Sequence, residues 1–325
     1  MGTFALPKQK LKIVFIFLDA DKNASPFDIL TTLDIFPDAA VLKYEDVTAE
    51  ETGTLVYDSM FPRGPEGAKH TKLFIGGHDS HKVNDILEAA KKCMFSPFEL
   101  SIIVDPAGAY TTAPAAVAKM LRLYEQKNHT SIKGKNVAVL AGTGLTGQTA
   151  ARLFAVEKAQ VTITSRSLEK AVSAAAEING GVQDGLIRGV EAKTEEDLSS
   201  IVNSMDVIFA AGAAGTKLFH LNMLRKPSRK SKIVADANAI PPLGIEGLKP
   251  DDDGIELLPS TFGIGALAIG KLKNKVEALL IRRAAEEPKG IFDYRMAFEI
   301  ARKIVSESSD KGKRQQDEPY KSWLP

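Results

Sequence analysis

Val137-Ala138-Val139-Leu140-Ala141-Gly142-Thr143-Gly144-Leu145-Thr146-Gly147 is the stretch from which the rest of the chain is read. A β-branched apolar run enters a G-x-G-x-x-G turn, and helical periodicity follows from Gln148 to Val156. Each glycine has its own task in a strand–turn–helix of this kind. Gly142 permits the tight turn, Gly144 lets a pyrophosphate approach the backbone, and Gly147 lets helix and strand pack closely. The start of the helix offers free N–H groups and the positive end of its dipole. Residues Gly142, Thr143, Gly144, Leu145, Thr146 and Gly147 are therefore expected to cradle the phosphates of a dinucleotide.

The end of the next strand selects which dinucleotide. An NAD site places Asp or Glu there to bind the ribose 2′-hydroxyl. This chain reads Thr164-Ser165-Arg166-Ser167, with Lys170 a turn later. No carboxylate stands there to repel a 2′-phosphate. Arg166 can pair with one through two donors, and Ser165 and Lys170 add a hydrogen bond and a charge. The pattern favours NADP and leaves NAD open. Ala211, Gly212 and Ala213 follow another strand, small enough for a cofactor to lie against the backbone. Asp236 and Asn238 follow a fourth. Either residue can reach the nicotinamide side or cap its own loop, and the pattern does not choose.

Outward from this unit the alternation continues. Strands are expected at residues 12–18, 72–75, 100–104, 136–141, 160–164, 206–210 and 232–235, with helical segments between them. Ser25-Pro26 reads as a helix start. Strands alternating with helices favour an α/β fold with mostly parallel sheets. The expectation is a Rossmann NAD(P)-binding domain over residues 130–270, beside a second α/β substrate domain over residues 1–129. Helices over 271–305 complete the latter, a cleft lies between the two, and a flexible polar tail covers 306–325.

Of the 325 residues, 44% are hydrophobic, and 42 Lys and Arg balance 41 Asp and Glu. That balance gives nucleic acid or an anionic membrane no electrostatic hold. No apolar run is long enough to span a bilayer. The early run at residues 13–18 is too short for a secretory segment, and Asp19 and Asp21 follow it. A single cysteine, Cys93, permits no internal disulfide. A cytoplasmic location is expected. His78-Asp79-Ser80-His81 lacks spaced third and fourth ligands, so a polar loop is expected and no metal.

The first half supplies polar groups at strand ends. Asp19 and Asp21 end the first strand, and Asp105 ends the third, ahead of Tyr110, Thr111 and Thr112. A carboxylate there can accept paired hydrogen bonds from a heterocycle with an amino group beside a ring N–H, or it can cap a helix. Gly263, Gly265 and Gly270 allow the chain to pass close to a ligand, after which Lys271 or Lys273 is placed to project toward it.

The chain resembles the bacterial methylene-tetrahydromethanopterin dehydrogenases over most of residues 11–305. The resemblance rests on Phe17-Leu18-Asp19-Ala20-Asp21, Phe61-Pro62-Arg63-Gly64, Phe74-Ile75-Gly76-Gly77-His78-Asp79, and Asp105 with Thr111-Thr112-Ala113. Its most specific segments are Val234-Ala235-Asp236-Ala237-Asn238-Ala239-Ile240-Pro241-Pro242-Leu243-Gly244-Ile245 and Gly265-Ala266-Leu267-Ala268-Ile269-Gly270. It implies oxidation of 5,10-methylene-tetrahydromethanopterin to the methenyl compound by direct hydride transfer, within one-carbon metabolism. It further implies that Lys273, Asp105 and Thr112 serve catalysis through orientation and electrostatics, and that Asp19, Asp21 and Thr111 bind the small-molecule tetrahydropterin. Homo-oligomers are implied by the resemblance alone. Ala107, Tyr110 and Pro114 depart from the family pattern, and residues 34–54 match it poorly. A methylene-tetrahydrofolate dehydrogenase is the nearest rival. No tyrosine is followed four residues later by lysine, so cyclohydrolase activity of the folate type is not expected. A non-catalytic NADP-binding protein is the reading from another class.

Overall fold

The computed structural model describes residues 11–182, 186–224 and 231–312, without the side chains of 186 and 308–312. The tail expected from 306 lies mostly outside them, and residues 306–312 belong to a helix. In chain order the elements begin β1 (Val14–Asp19), α1 (Pro26–Ile35), β2 (Ala40–Tyr44), α2 (Ala49–Met60), α3 (Gly64–Ala68), β3 (Thr71–Gly76), α4 (Ser80–Cys93), β4 (Ser101–Val104) and α5 (Ala109–Asn128). Next come β5 (Asn136–Leu140), α6 (Leu145–Val156), β6 (Gln160–Ser165), α7 (Leu168–Asn179), β7 (Leu186–Glu191), α8 (Glu195–Ser204), β8 (Val207–Ala210) and β9 (Phe219–His220). The chain ends through β10 (Lys232–Asp236), β11 (Ile245–Glu246), β12 (Asp253–Leu258), β13 (Thr261–Ile264), α9 (Ala266–Glu286), β14 (Gly290–Phe292) and α10 (Tyr294–Gly312).

These elements form two compact units. Unit 1 comprises residues 1–110 and 277–296, and unit 2 comprises 111–276 and 297–325. Each divide falls inside a helix, α5, α9 or α10.

Unit 1 is a five-stranded parallel sheet in the order β14-β4-β3-β1-β2. Strands β3 and β4 are buried along their whole length, as a sheet covered on both faces requires. Helix starts are chemically marked. Ser25 caps α1, with Pro26 at the first position, as its sequence predicts. Thr48 and Glu51 form a reciprocal capping box on α2, and Asp79 caps α4.

Unit 2 holds a seven-stranded sheet in the order β12-β13-β10-β8-β5-β6-β7, parallel except for β12. Strands β6 and β7 lie to one side of β5, and β8 and β10 to the other. The winding therefore reverses between β5 and β8, and the carboxyl ends of those strands form the crevice where open α/β sheets bind ligands. Unit 1 reverses likewise between β1 and β3, beside Asp19 and Gly76.

Both sheets bury a lysine at the opposite, amino end. Lys72 begins β3 region pairing with β4 and donates to the Glu287 carbonyl at 2.6 Å, just past α9. Lys232 opens β10 and donates to the Val202 carbonyl at 2.6 Å, in the last turn of α8. Each ammonium thus satisfies carbonyls left open at a helix C-terminus. Burial pushes both amines down to about 8.

Candidate functional site

Unit 2 shows how the glycine turn works. A Cβ on Gly142 would lie 2.7 Å from Ile163 Cγ2, and one on Gly147 would lie 2.6 Å from Gly142 Cα. Both glycines are required by the packing of α6 onto β5 and β6. Gly144 differs, because a Cβ there would meet nothing within 4 Å. It caps α6 without a side-chain hydrogen bond, which leaves backbone facing open space at a helix N-terminus. This is where a pyrophosphate needs room and donors, so the residues fit a dinucleotide. Thr164, which the sequence pattern did not single out, fixes the turn. Its hydroxyl accepts from Ala141 N–H at 3.1 Å and its carbonyl from Gly142 N–H at 3.0 Å.

A cavity of about 580 Å³ opens beside this turn, wholly within unit 2. Of the expected cofactor residues, Thr143, Ser165, Arg166, Lys170, Gly212 and Ala213 line it. Gly142, Gly144, Leu145, Thr146, Gly147, Ala211, Asp236 and Asn238 are not among its lining residues. Four cations face the cavity. Lys193 pairs with Glu191 at 2.8 Å and Lys217 with Glu246 at 3.1 Å. Among the described residues neither the Arg166 nor the Lys170 side chain has an acidic partner, so these two remain available to an anion. A larger cavity, about 690 Å³, lies at the amino ends of β1 and β2 in unit 1, away from the loops that follow the strands.

Asp236 and Asn238 are engaged with their own loops. Asp236 is buried and accepts from Asn238 N–H and Ile245 N–H, each at 2.9 Å. Its carboxylate fills the space beside Gly244, where a Cβ would come within 2.6 Å of Oδ1. Burial raises its pKa. Asn238 accepts from Ile240 N–H at 2.8 Å and Gly215 N–H at 3.3 Å, and donates to the Pro242 carbonyl at 2.9 Å. Together they tie the Pro-Pro loop to the Gly212–Gly215 turn.

In unit 1 the expected carboxylates stand at the carboxyl ends of two strands, β1 and β4, with β3 between them. Asp19 is buried, pairs in register with Gly76, and accepts from Asp21 N–H at 2.9 Å. A Cβ on Gly76 would stand 3.1 Å from Asp19 Oδ2, so glycine makes room for this carboxylate. Burial raises the Asp19 pKa. Asp21 accepts from His78 N–H at 3.1 Å and lies 2.6 Å from His78 Nδ1. Partial burial would raise the Asp21 pKa, but those His78 bonds outweigh it and hold the carboxyl low. Gly77, at φ +131°, allows this pairing, because a Cβ would come within 2.8 Å of the Ala20 Cβ. Asp105 follows β4 and accepts from Tyr110 N–H at 2.8 Å, at the start of α5. His78 lies in the loop between β3 and α4, as expected, and both its backbone N–H and its exposed imidazole meet Asp21.

Thr111 is buried in α5 and Thr112 half-buried. Lys273 is buried in α9, whereas Lys271 is exposed. Of the glycines ahead of them, Gly263 and Gly265 approach the protein itself, whereas a Cβ on Gly270 would meet nothing within 4 Å. A Cβ on Gly265 would lie 2.1 Å from the Lys249 carbonyl, and one on Gly263 would lie 2.4 Å from Leu257 Cδ1. Among the described residues no group of three or more His, Cys, Asp or Glu is placed to hold a metal ion. None of the described helices is long and apolar enough to cross a membrane.

Residues 26–107 match the family model for the N-terminal part of methylene-tetrahydromethanopterin dehydrogenase, and residues 123–241 match that for shikimate/quinate 5-dehydrogenase. The NAD(P)-dependent methylenetetrahydromethanopterin dehydrogenase of Methylorubrum extorquens is 31% identical over 291 residues, covering 87% of this chain and 96% of that relative. The chain belongs to this dehydrogenase family. The bifunctional protein MdtA of the same organism is 35% identical over 296 residues, covering 90% of this chain and 99% of that relative. Among solved structures, a shikimate 5-dehydrogenase from Listeria monocytogenes aligns over 94% of this chain and all of its own, at 12% identity and a TM-score of 0.45. The family model for the N-terminal part falls within unit 1, where Asp19 precedes it and Asp105 lies inside it.

Proposed function

We propose that this member of the family oxidises 5,10-methylene-tetrahydromethanopterin to its 5,10-methenyl form with NADP in preference to NAD. The observation that carries the cofactor choice is the pair Arg166 and Lys170, left without acidic partners in the cavity beside the open Gly144 turn. Bound NADP supplies the nicotinamide carbon that accepts the hydride. The methylene carbon gives up that hydride, and the resulting cation is delocalised over its two flanking nitrogens. No strong general acid or base is needed, so the chain's work is positioning and the exclusion of water.

The backbone of residues 142–147 holds the pyrophosphate, and Ser165, Arg166 and Lys170 hold the 2′-phosphate. Ala211, Gly212 and Ala213 give the cofactor a flat wall. Asp236 and Asn238 act on the nicotinamide end through the loops they tie. Asp19 and Asp21, with Thr111, bind and orient the tetrahydropterin, and Lys273, Asp105 and Thr112 set the field around the reacting carbon. The buried Lys273 favours an interior role over a solvated one. A cytoplasmic homo-oligomer, with the substrate domain built from residues 1–129 and 271–305, belongs to the same reading. Initial rates of nicotinamide reduction with methylene-tetrahydromethanopterin and with methylene-tetrahydrofolate test it. Faster turnover with the methanopterin is expected; faster turnover with the folate makes the chain a folate dehydrogenase, and turnover with neither removes the activity.

A further inference from the structure

Next to the lining residues Ala192 and Lys193 of the unit 2 cavity stands an acid that a 2′-phosphate site should avoid. Glu191 is the last residue of β7 and pairs in register with Ser165, one residue before Arg166. Its Oε1 accepts from Leu168 N–H at 3.2 Å, at the start of α7. The same oxygen lies 2.8 Å from Lys193 Nζ. Ala192, between them, donates its N–H to the Ser165 carbonyl at 2.8 Å, so the end of β7 is locked against the Ser165–Ser167 loop. A carboxylate anchoring that loop has a geometric use. Its charge, placed across from Ser165, opposes an incoming phosphate.

We propose that Lys193 sets cofactor preference by neutralising Glu191, so that the loop carrying Arg166 keeps its carboxylate anchor without repelling a 2′-phosphate. This rests on the reading that Arg166 meets the 2′-phosphate. Lys193 lines the same cavity as Arg166 and Lys170. The bond from Lys193 holds the Glu191 carboxyl low, so the anchor is ionised and needs a counter-charge. Two observations thus converge on one device: a strand-end acid bound to a helix N–H, and a lysine two residues later turned back onto it.

The test is calorimetric titration of NADP and NAD into the wild type and three variants, with no substrate present. Lys193→Met unmasks Glu191 and is expected to raise the ratio of Kd for NADP to Kd for NAD roughly five-fold. Glu191→Gln keeps an acceptor for Leu168 and frees the lysine, so the ratio falls by a similar factor. The double variant returns close to the wild-type ratio. These shifts shrink at high salt, as exposed charges require and a packing role does not. A Lys193→Met ratio within two-fold of wild type overturns the inference, as does a double variant that matches Lys193→Met. Arg166→Ala separates the layers. If it moves the ratio while Lys193→Met does not, only this inference fails. If Arg166→Ala leaves the ratio alone, the placement of the 2′-phosphate fails with it.

Discussion

The two sheets are wound by the same rule, yet their switch points are furnished differently. In unit 2 the point between β5 and β8 is backbone and space: Gly144 faces nothing within 4 Å, and nearby Arg166 and Lys170 have no acidic partners among the described residues. In unit 1 the point between β1 and β3 is filled with side chains already bonded to one another, Asp19 to the Asp21 amide and Asp21 to His78. The lesson is chemical. A dinucleotide carries its own charge and needs room and donors, whereas a neutral heterocycle with N–H edges is met by acceptors fixed in advance.

Substitutions at the two points should therefore fail in different ways. The largest effect is expected at Gly144. The Cβ of a valine there meets no protein atom within 4 Å, so the melting temperature stays close to wild type while Kd for NADP rises about a hundred-fold. Gly147→Val, by contrast, drives a side chain into Gly142 and lowers the melting temperature as well. A Gly144→Val protein that still binds NADP well removes the pyrophosphate from this turn. Next is Arg166→Ala, expected to raise KM for NADP roughly ten-fold and KM for NAD much less, in steady-state rates with each cofactor. Asp19→Asn sharpens the contrast from the other side. The amide still accepts from Asp21 N–H, so folding survives, and KM for the pterin rises about five-fold while Kd for NADP hardly moves. Equal changes in both constants would erase the division of labour.

The smallest effect comes from the buried lysine of each unit, Lys72 in unit 1 and Lys232 in unit 2. Unfolded, each amine titrates near 10.5; folded, near 8. The unfolded chain therefore binds more protons between those values, and stability rises as pH goes up through the window and is lost on the way down to 8. Against Lys72→Met, wild type should gain on the order of 1–2 kcal/mol from pH 8 to 10.5 in urea unfolding. A constant difference would mean the amine titrates normally.

What the sequence disclosed follows the same division. The glycine turn of unit 2 was legible because glycine spacing reports backbone geometry directly, and Ser25-Pro26 because caps are local chemistry. Strand β7 was missed, since Gly189 reads as a breaker. It is there because a Cβ would come within 2.2 Å of the Ala171 backbone, on α7. With β7 went Glu191 and Lys193. Strand β2 escaped as a short, largely exposed edge, and β14 because three residues carry no periodicity and find β4 nearly two hundred positions away in the chain. Asp19, Asp21 and Asp105 were visible as candidates, but the His78 bond and the Gly76 gap that seats Asp19 exist only once separate strands are side by side.

The central claim is that the substrate's methylene hydrogen passes directly to the nicotinamide. Its most direct test is one turnover with NADP and methylene-tetrahydromethanopterin deuterated at the methylene carbon, followed by mass analysis of the reduced cofactor. Deuterium in the NADPH is expected, with none released to solvent. Unlabelled NADPH, or no NADPH at all, would contradict it.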